Sequence, residues 1–291
     1  MTKDRNLSEY AVSGLWRYPV KSMLGEALDY GRITDRGLPG DRAFALIDPE
    51  TGKIASAKSP RKWGKLLDAK ATILESADNG EIIAGISLPG GTFVRSDEKD
   101  CHHVLSNWLE RPVKLMVSSP ANNQTFQYEV YWPDIEGLAL RDTQTVSPVS
   151  QGAAPGTFFN YAPLHLVTTS SLRRLQMLAP QSAIVVRRFR PNIIVETLEA
   201  EEGFIENAWI GHTLAIGPDV RLRVTVACPR CVVTTLPQEN QTLMKDNNVL
   251  RSIVEHNRVD LGDFGVQACF GVYAEVLEGG VIRPGDKLVV L

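Results

Sequence analysis

The segment Cys228-Pro-Arg-Cys231 holds the most reactive side chains of this sequence, two thiols separated by two residues. A thiolate is a strong nucleophile and a soft metal ligand, and the adjacent guanidinium of Arg230 favours the charged form. Alternating and β-branched residues flank the pair from position 221 to position 236. We therefore predict two strand segments with the thiols in the turn between them.

Four roles are compatible with this pair of cysteines. A redox-active dithiol would normally open a helix, whereas the residues after Cys231, Val-Val-Thr-Thr, favour a strand. A structural zinc site needs four ligands, and the remaining cysteines, Cys101 and Cys269, are single and far apart in sequence. Two buried thiols in a core strand are a third interpretation, and a single soft ligand to a cofactor metal is a fourth. The spacing alone does not choose among them.

Five motifs, spread along the chain from about Val12 to Leu291, together resemble the MOSC family, which is named for the molybdenum cofactor sulfurase C-terminal region. They are Tyr18-Pro-Val-Lys-Ser22, Gly40-Asp-Arg42-Ala-Phe, Arg188-Phe-Arg-Pro-Asn192, Cys228-Pro-Arg-Cys231-Val-Val-Thr-Thr, and Phe270-Gly-Val-Tyr273 with Gly285-Asp286. The first two resemble the N-terminal β-barrel module that accompanies the MOSC domain. Any one motif alone is weak, but five in order are specific.

The resemblance implies a mainly β fold with a few helices (α+β). We expect a MOSC-type β-barrel with a smaller N-terminal β-barrel-like module. The predicted divisions are a tail at residues 1–10, the N-terminal module at 11–116, an irregular connecting segment at 117–157 and the MOSC domain at 158–291. The connecting segment is either an excursion packed by its aromatic residues or a lid over the site.

The same resemblance implies a molybdenum cofactor, in which the metal is bound to the dithiolene of molybdopterin, and no pyridoxal phosphate. Cys231 matches the position that supplies the protein thiolate to molybdenum, which makes it both the metal ligand and the catalytic residue, and Cys228 would be supporting structure. The other positions implied to bind the cofactor are Lys21, Ser22, Arg42, Arg190, Asn192, Arg230 and Tyr273.

Several of these positions have simpler interpretations. Lys21 and Ser22 taken alone read as a solvated turn, and Arg42 could form an ion pair with Asp41 instead of binding a cofactor. The arginine cluster at 187–190 lies between apolar segments that we predict to be strands, so its guanidinium groups would need anionic partners near a core. Asn160 stands where the family commonly has an aspartate, so a carboxylate acceptor is missing there.

The function implied by the resemblance is the two-electron reduction of N-hydroxylated compounds such as N-hydroxylated bases and amidoximes. Some relatives carry a ferredoxin-like module with four cysteine ligands after the last strand, and none follows Leu291 here. We therefore expect electrons from a separate reductase, based on flavin or on iron–sulfur clusters. The alternative is a cofactor-binding or sulfur-carrying module in which Cys231 bears a persulfide and no substrate is turned over.

Composition limits the remaining classes. The 291 residues are 43% hydrophobic and 22% charged, with a formal net charge of -3, so charge gives no case for nucleic-acid or membrane-surface partners. The first ten residues are polar, and no apolar run approaches the roughly 20 residues of a membrane helix. The four cysteines have no framework spacing, which favours a reducing compartment. We predict a soluble cytoplasmic protein.

Overall fold

The computed structural model describes residues 10–76, 82–119, 125–132, 143–154 and 156–291. The predicted N-terminal tail lies outside these residues except for Tyr10. Also outside them are parts of the predicted connecting segment at 117–157.

Strands make up most of the regular structure. The first nine are β1 (Tyr10–Arg17), β2 (Glu26–Leu28), β3 (Gly31–Ile33), β4 (Phe44–Ile47), β5 (Lys70–Ser76), β6 (Ile82–Ser87), β7 (Phe93–Arg95), β8 (Lys114–Val117) and β9 (Gln127–Trp132). The next nine are β10 (Thr143–Pro148), β11 (Leu164–Thr168), β12 (Ile193–Glu196), β13 (Thr213–Ile216), β14 (Val220–Pro229), β15 (Arg258–Asp260), β16 (Val266–Glu278), β17 (Gly280–Ile282) and β18 (Lys287–Val290).

Four α-helices are present in the described part of the chain. They are α1 (Pro60–Trp63), α2 (Cys101–Leu109), α3 (Thr169–Leu178) and α4 (Asn247–His256). The cap of α3 is Thr168, whose side chain accepts a hydrogen bond from the Ser171 amide. Within the described ranges, no helix combines the length and the apolar character that crossing a membrane requires.

Seven strands form a closed barrel in the order β11, β12, β1, β18, β13, β14 and β16, and the barrel closes because β16 also pairs with β11. Its interior is apolar: Leu166, Val195, Leu214, Val224 and Leu288 are all fully buried. This arrangement confirms the predicted fold class, a mainly β chain with a β-barrel and a few helices. Strand β1 lies between β12 and β18, so the chain begins in the large barrel and leaves it after Arg17.

A second core lies between two smaller sheets, β4 with β8 and β5 with β6 and β7. Helix α2 and the turns around α1 cover it, and Phe44, Leu66, Ile86 and Leu105 are buried there. The predicted domain boundaries around 117 and 158 stay predictions.

The segment at 117–157 was predicted to be irregular, and this is wrong for its described part. Strands β9 and β10 pair as an antiparallel hairpin with six residues on each side. Phe126, Tyr128 and Val130 alternate into a small core with Ile54 and Phe158. This alternation spans few residues, and the surrounding polar residues mask it in the sequence.

Two further strand predictions are also wrong. Val232–Thr235 is a short 3-10 helix, because the hydroxyls of Thr234 and Thr235 bond back to the carbonyl oxygens of Cys231 and Val232. The segment before the arginine cluster ends in another 3-10 turn, Val186–Arg188, although Ile193–Glu196 after it is a strand as predicted.

The closure of the barrel depends on Gly271. Strand β14 has a register shift between Ala227 and Pro229 where it faces this part of β16, so one strand carries an extra residue. Gly271 has a φ of +77°, and a Cβ atom there would lie 2.4 Å from the Leu166 carbonyl oxygen and 2.5 Å from Nε2 of His165. Only glycine fits both the backbone conformation and the close approach of β11.

We predict that Gly271→Ala destabilises the protein more than Gly52→Ala. Both glycines have a positive φ, but a Cβ atom at Gly52 would meet nothing within 4 Å. The left-handed conformation should cost about 1–2 kcal/mol in each variant, and the clash at Gly271 should add about 1–3 kcal/mol. Urea unfolding of the two variants measures this difference. Equal losses would show that the barrel adjusts freely at this position.

Candidate functional site

One cavity of about 350 Å³ lies between the barrel, the N-terminal module and the β9–β10 hairpin. All eight residues selected from the motifs line it, although they are widely separated in sequence. They are Lys21, Ser22, Arg42, Arg190, Asn192, Arg230, Cys231 and Tyr273. The structure thus brings the selected residues together, and their individual roles stay predictions.

The cavity wall is strongly cationic. Five basic side chains line it, and none of the lining residues in the described part of the chain is an aspartate or a glutamate. These cations are Lys21, Arg42, Lys58, Arg190 and Arg230. The nearest buried carboxylate is that of Asp41, which pairs with Arg42 behind the wall. Such a cavity attracts an anionic ligand.

Arg42 and Arg190 lie against the ring of Tyr18, with guanidinium carbons 4.6 and 4.3 Å from its centroid. Arg42 donates from Nη2 to the Arg190 carbonyl oxygen at 3.1 Å, and Arg190 donates from Nη1 to the Met23 carbonyl oxygen at 2.6 Å. Burial, and then the charge of Arg42, lower the pKa of Arg190 to about 10. Arg42 thus forms the ion pair with Asp41 and also lines the cavity, and its role as a cofactor ligand stays a prediction.

Three of the lining residues have a left-handed backbone. The φ angles of Ser22, Arg42 and Arg190 are 69°, 47° and 58°. This conformation costs on the order of 1–3 kcal/mol for a residue with a side chain, and it persists where the surrounding structure fixes it, often at ligand sites. Three residues that face the cavity therefore carry backbone strain.

Lys21 and Ser22 lie in a turn, as predicted, but Lys21 is buried rather than solvated. Its ammonium group donates to the Phe158 carbonyl oxygen at 2.7 Å and to Oδ1 of Asn160 at 2.6 Å. Burial, followed by the charges of Lys58, Arg42 and Arg190, holds the pKa of Lys21 well below its ordinary value. The Asn160 amide oxygen replaces a carboxylate as the acceptor but leaves the lysine charge uncompensated.

The arginine cluster at 187–190 divides into three different environments. Arg187 is half-buried and pairs with Glu239, and of the three arginines only Arg190 reaches the cavity. Arg188 is buried and bonds to the carbonyl oxygens of residues 183, 234, 236 and 244. The expectation that a buried guanidinium here needs an anionic partner is wrong, since backbone carbonyl groups satisfy it. Arg188 thereby anchors the turn that carries Cys231.

The two thiols differ sharply in their surroundings. Cys228 is 1% exposed, and its sulfur accepts a hydrogen bond of 3.0 Å from Nη1 of Arg230. Burial alone would raise the pKa of Cys228, but His165 and Arg230 outweigh it and lower the value to about 6. Cys231 is half-buried at the start of the 3-10 helix and faces the cavity.

Aromatic rings form one side of the cavity. Tyr273 lies 5.6 Å from both Tyr161 and His165, and Tyr161 packs edge-on against Phe264 at 6.3 Å. Nε2 of His165 is 3.2 Å from the Phe270 carbonyl oxygen, which can only accept, so this nitrogen carries a proton. Burial, and then the neighbouring Cys228 sulfur, raise the pKa of Tyr273 well above its ordinary value.

Sequence reasoning missed several lining residues, including Lys58, Tyr128, Tyr161 and His165. The one signal for His165 was a histidine inside the apolar strand β11, where it faces Tyr273 of β16 in register. Lys58 and Tyr128 had no signal, because they meet only through long-range pairing of the hairpin with residues near Ile54.

Comparison with known proteins agrees with this architecture. Residues 154–289 match the MOSC domain, and residues 9–77 match the MOSC N-terminal beta barrel domain. Together the two matches cover more than half of the chain. The protein therefore belongs to the MOSC-domain family, in the arrangement that also has the N-terminal barrel module.

Within this family the chain is similar to amidoxime-reducing components. It is 25% identical to mitochondrial amidoxime reducing component 2 of Rattus norvegicus, covering 95% of this chain and 82% of that protein. It is 22% identical to mitochondrial amidoxime-reducing component 1 of Homo sapiens, covering 100% of this chain and 86% of that protein. The YUAD protein of Bacillus subtilis aligns over 97% of this chain and 95% of its own, at 11% identity and a TM-score of 0.44.

We predict that Cys228 titrates near neutral pH. In cofactor-free Cys231→Ser protein, the ultraviolet absorbance of thiolate should rise with a midpoint at about pH 6, the pKa of the buried Cys228. Burial raises the pKa of Cys101 to about 11 and that of Cys269 to about 12, so neither contributes there. Arg230→Met should move the midpoint upward, because it removes the hydrogen bond to sulfur.

The free energy of unfolding should change over the same pH interval. The folded-state pKa of Cys228, about 6, lies below the unfolded value of about 8.5. The Cys228 thiolate therefore contributes stability that is complete above about pH 8.5 and is lost as the pH falls through about 6. The free energy of unfolding of Cys231→Ser should thus fall between these pH values more than that of a double variant with serine at both cysteines. Parallel curves would mean that Cys228 is an ordinary buried thiol.

Proposed function

We propose that this protein is a molybdenum-cofactor-dependent oxidoreductase that reduces N-hydroxylated compounds, such as N-hydroxylated bases and amidoximes, with electrons from a separate reductase. The observation that carries the proposal is the cationic cavity, in which one half-buried thiol, Cys231, faces a wall of five basic residues. Similarity to amidoxime-reducing components supports the class of substrate.

The residues present fit the proposed cofactor. Molybdopterin carries a phosphate group, and the cavity offers lysine and arginine donors with no competing carboxylate on its described wall. Nε of Arg230 is buried and has no hydrogen-bond partner among the described residues, so it is a donor available to a ligand. A thiolate at Cys231 is the soft donor that molybdenum requires from the protein.

Each group has a distinct place in the proposed site. Lys21, Arg42 and Arg190 would hold the phosphate end, with Ser22 and Asn192 beside them. Cys231 would hold the metal, and Arg230 and Tyr273 lie on the barrel side. When bound, the cofactor supplies two-electron redox chemistry and oxygen transfer. The protein supplies positive charge, orientation and a shielded cavity.

The source of electrons is also part of the proposal. Reduction of an N–OH group to N–H consumes two electrons and two protons and releases water. The electrons would come from a flavin-based or iron–sulfur-based reductase acting on this chain. We infer that the isolated protein accepts electrons from reduced viologen dyes and not from NADH alone.

We predict different outcomes for the two cysteines. Cys231→Ser should lose molybdenum and benzamidoxime reduction, because a hard hydroxyl replaces a soft thiolate. Cys228→Ser should retain much of both. The proteins should be made in a host that synthesises the cofactor, with molybdenum measured by mass spectrometry and activity measured with reduced viologen. Equal losses would reopen the dithiol interpretation.

A sulfur carrier would give a different result in the same preparations. Labile sulfane sulfur on Cys231, with neither molybdenum nor pterin present, would support the carrier and contradict the oxidoreductase. Turnover with NADH and no added reductase would contradict the proposed need for a separate donor.

We predict that Arg190→Ala weakens cofactor retention. A charge-assisted hydrogen bond contributes about 1.5–3 kcal/mol, so retention should fall about tenfold or more. Arg190→Lys should recover part of this, since one ammonium does not reproduce a planar fork. The matched control is Arg32→Ala, an exposed position on β3 outside the cavity. Pterin content after dialysis measures retention, and equal content in the two alanine variants would refute the phosphate assignment.

A further inference from the structure

Tyr128 and Lys58 form a pair in the cavity that no sequence motif indicated. Nζ of Lys58 donates a hydrogen bond of 3.0 Å to the hydroxyl oxygen of Tyr128. Both residues line the cavity, and the Tyr128 side chain is otherwise buried in the small core of the hairpin. Lys58 and Tyr128 thus place polar groups at the cavity surface, while the ring of Tyr128 is held in a packed core.

The backbone fixes this pair. The Ile54 amide donates to the Gln127 carbonyl oxygen at 2.8 Å, and the Tyr131 amide donates to the Lys58 carbonyl oxygen at 2.7 Å. These bonds align residues 54–58 beside β9, with Ile54 bridged to Tyr128 and Lys58 beside Tyr131. From this fixed backbone the Lys58 side chain reaches the Tyr128 hydroxyl.

The hydroxyl proton of Tyr128 is available to a ligand. An ammonium group can only donate, so the phenol oxygen is the acceptor in its bond with Lys58. None of the described residues accepts the remaining phenol proton. A buried O–H group that faces a cavity without an acceptor is expected to bond to water or to a ligand atom.

Two cations surround the ring of Tyr128. Nζ of Lys58 lies 4.6 Å from its centroid, and Nζ of Lys21 lies 5.2 Å away. These charges stabilise the negative charge that develops on the phenol oxygen when its proton is given up. Burial would lower the pKa of Lys58, but Tyr128 and Cys231 raise it above its ordinary value, so its ammonium group stays charged. Lys58 and Cys231 line the same cavity.

We propose that Tyr128 and Lys58 bind the hydroxyl oxygen of the N-hydroxylated substrate, and that Tyr128 donates the proton with which this oxygen leaves as water. The inference rests on the proposed function of the same site. The N–O bond breaks as two electrons from the external donor are consumed, and the substrate oxygen receives the Tyr128 proton; a bound cofactor would supply the redox chemistry for this transfer. Solvent supplies the second proton to nitrogen and restores the phenol through the half-buried Lys58.

The test uses molybdenum-loaded protein and two readouts. The first is turnover of benzamidoxime with reduced viologen, for which Tyr128→Phe should lower kcat about 100-fold, within the range of a lost general acid. The second needs no turnover: calorimetry compares the binding of N-hydroxyadenine and adenine to the oxidised protein. Wild type should prefer the hydroxylated base, and Tyr128→Phe should reduce that preference about tenfold, the loss of one hydrogen bond.

The controls lie on the same hairpin and the adjoining helix. Tyr131→Phe removes a hydroxyl that bonds to Arg61 outside the cavity lining, and Lys62→Met removes an ammonium that pairs with Glu129. Both should retain turnover and the binding preference. Lys58→Met is the second test variant and should lower both readouts, which guards against a folding defect specific to Tyr128→Phe.

The outcomes separate the two proposals. Unchanged kcat and unchanged binding preference in folded, molybdenum-loaded Tyr128→Phe would overturn this inference and leave the proposed function intact. Loaded wild-type protein that neither reduces N-hydroxylated compounds nor prefers the hydroxylated base would overturn both.

Discussion

The concentration of positive charge in one poorly solvated cavity is the constraint on which the rest of this structure depends. Burial, and then repulsion among the neighbouring cations, lower the pKa values of Lys21 and Arg190. Backbone carbonyl oxygens and the faces of Tyr18 and Tyr128 hold the cations, and among the described residues Asp41 is the one carboxylate paired with them. An anion that binds only the folded state therefore stabilises it by linkage.

The barrel and the local backbone conformation place the required side chains around the cavity. Gly271 lets β16 approach β11 closely enough to place His165 and Tyr273 side by side, and the register shift in β14 turns Cys228 inward while Cys231 faces the cavity. The left-handed conformations of Arg42 and Arg190 are tolerated because buried hydrogen bonds fix both side chains. Packing on each side of the cavity thus stabilises backbone conformations that these residues do not favour on their own.

The motifs predicted the main cations of the cavity and the thiol that faces it, because each of these residues lies in a short motif that can be recognised without knowing the fold. Lys58 and Tyr128 escaped prediction, since their pairing arises from contacts between segments about 70 residues apart. The β-propensity of Val232–Thr235 predicted a strand, and this prediction was wrong. The threonine hydroxyls bond back to backbone carbonyl groups and stabilise tight turns there. The prediction that Arg188 needs anionic partners failed for a related reason. Carbonyl groups in those turns accept its hydrogen bonds and take the place of anions.

The cavity also has two chemically different ends. Around Tyr18 the charges belong to arginines, which keep their protons in proteins, so this end offers a permanent positive field suited to holding an anion in place. Around Tyr128 the charges belong to lysines, whose pKa values respond to burial and to neighbours, beside a phenol that can exchange its proton. The groups able to exchange protons therefore gather around Tyr128, and the permanent charges of Arg42 and Arg190 gather around Tyr18.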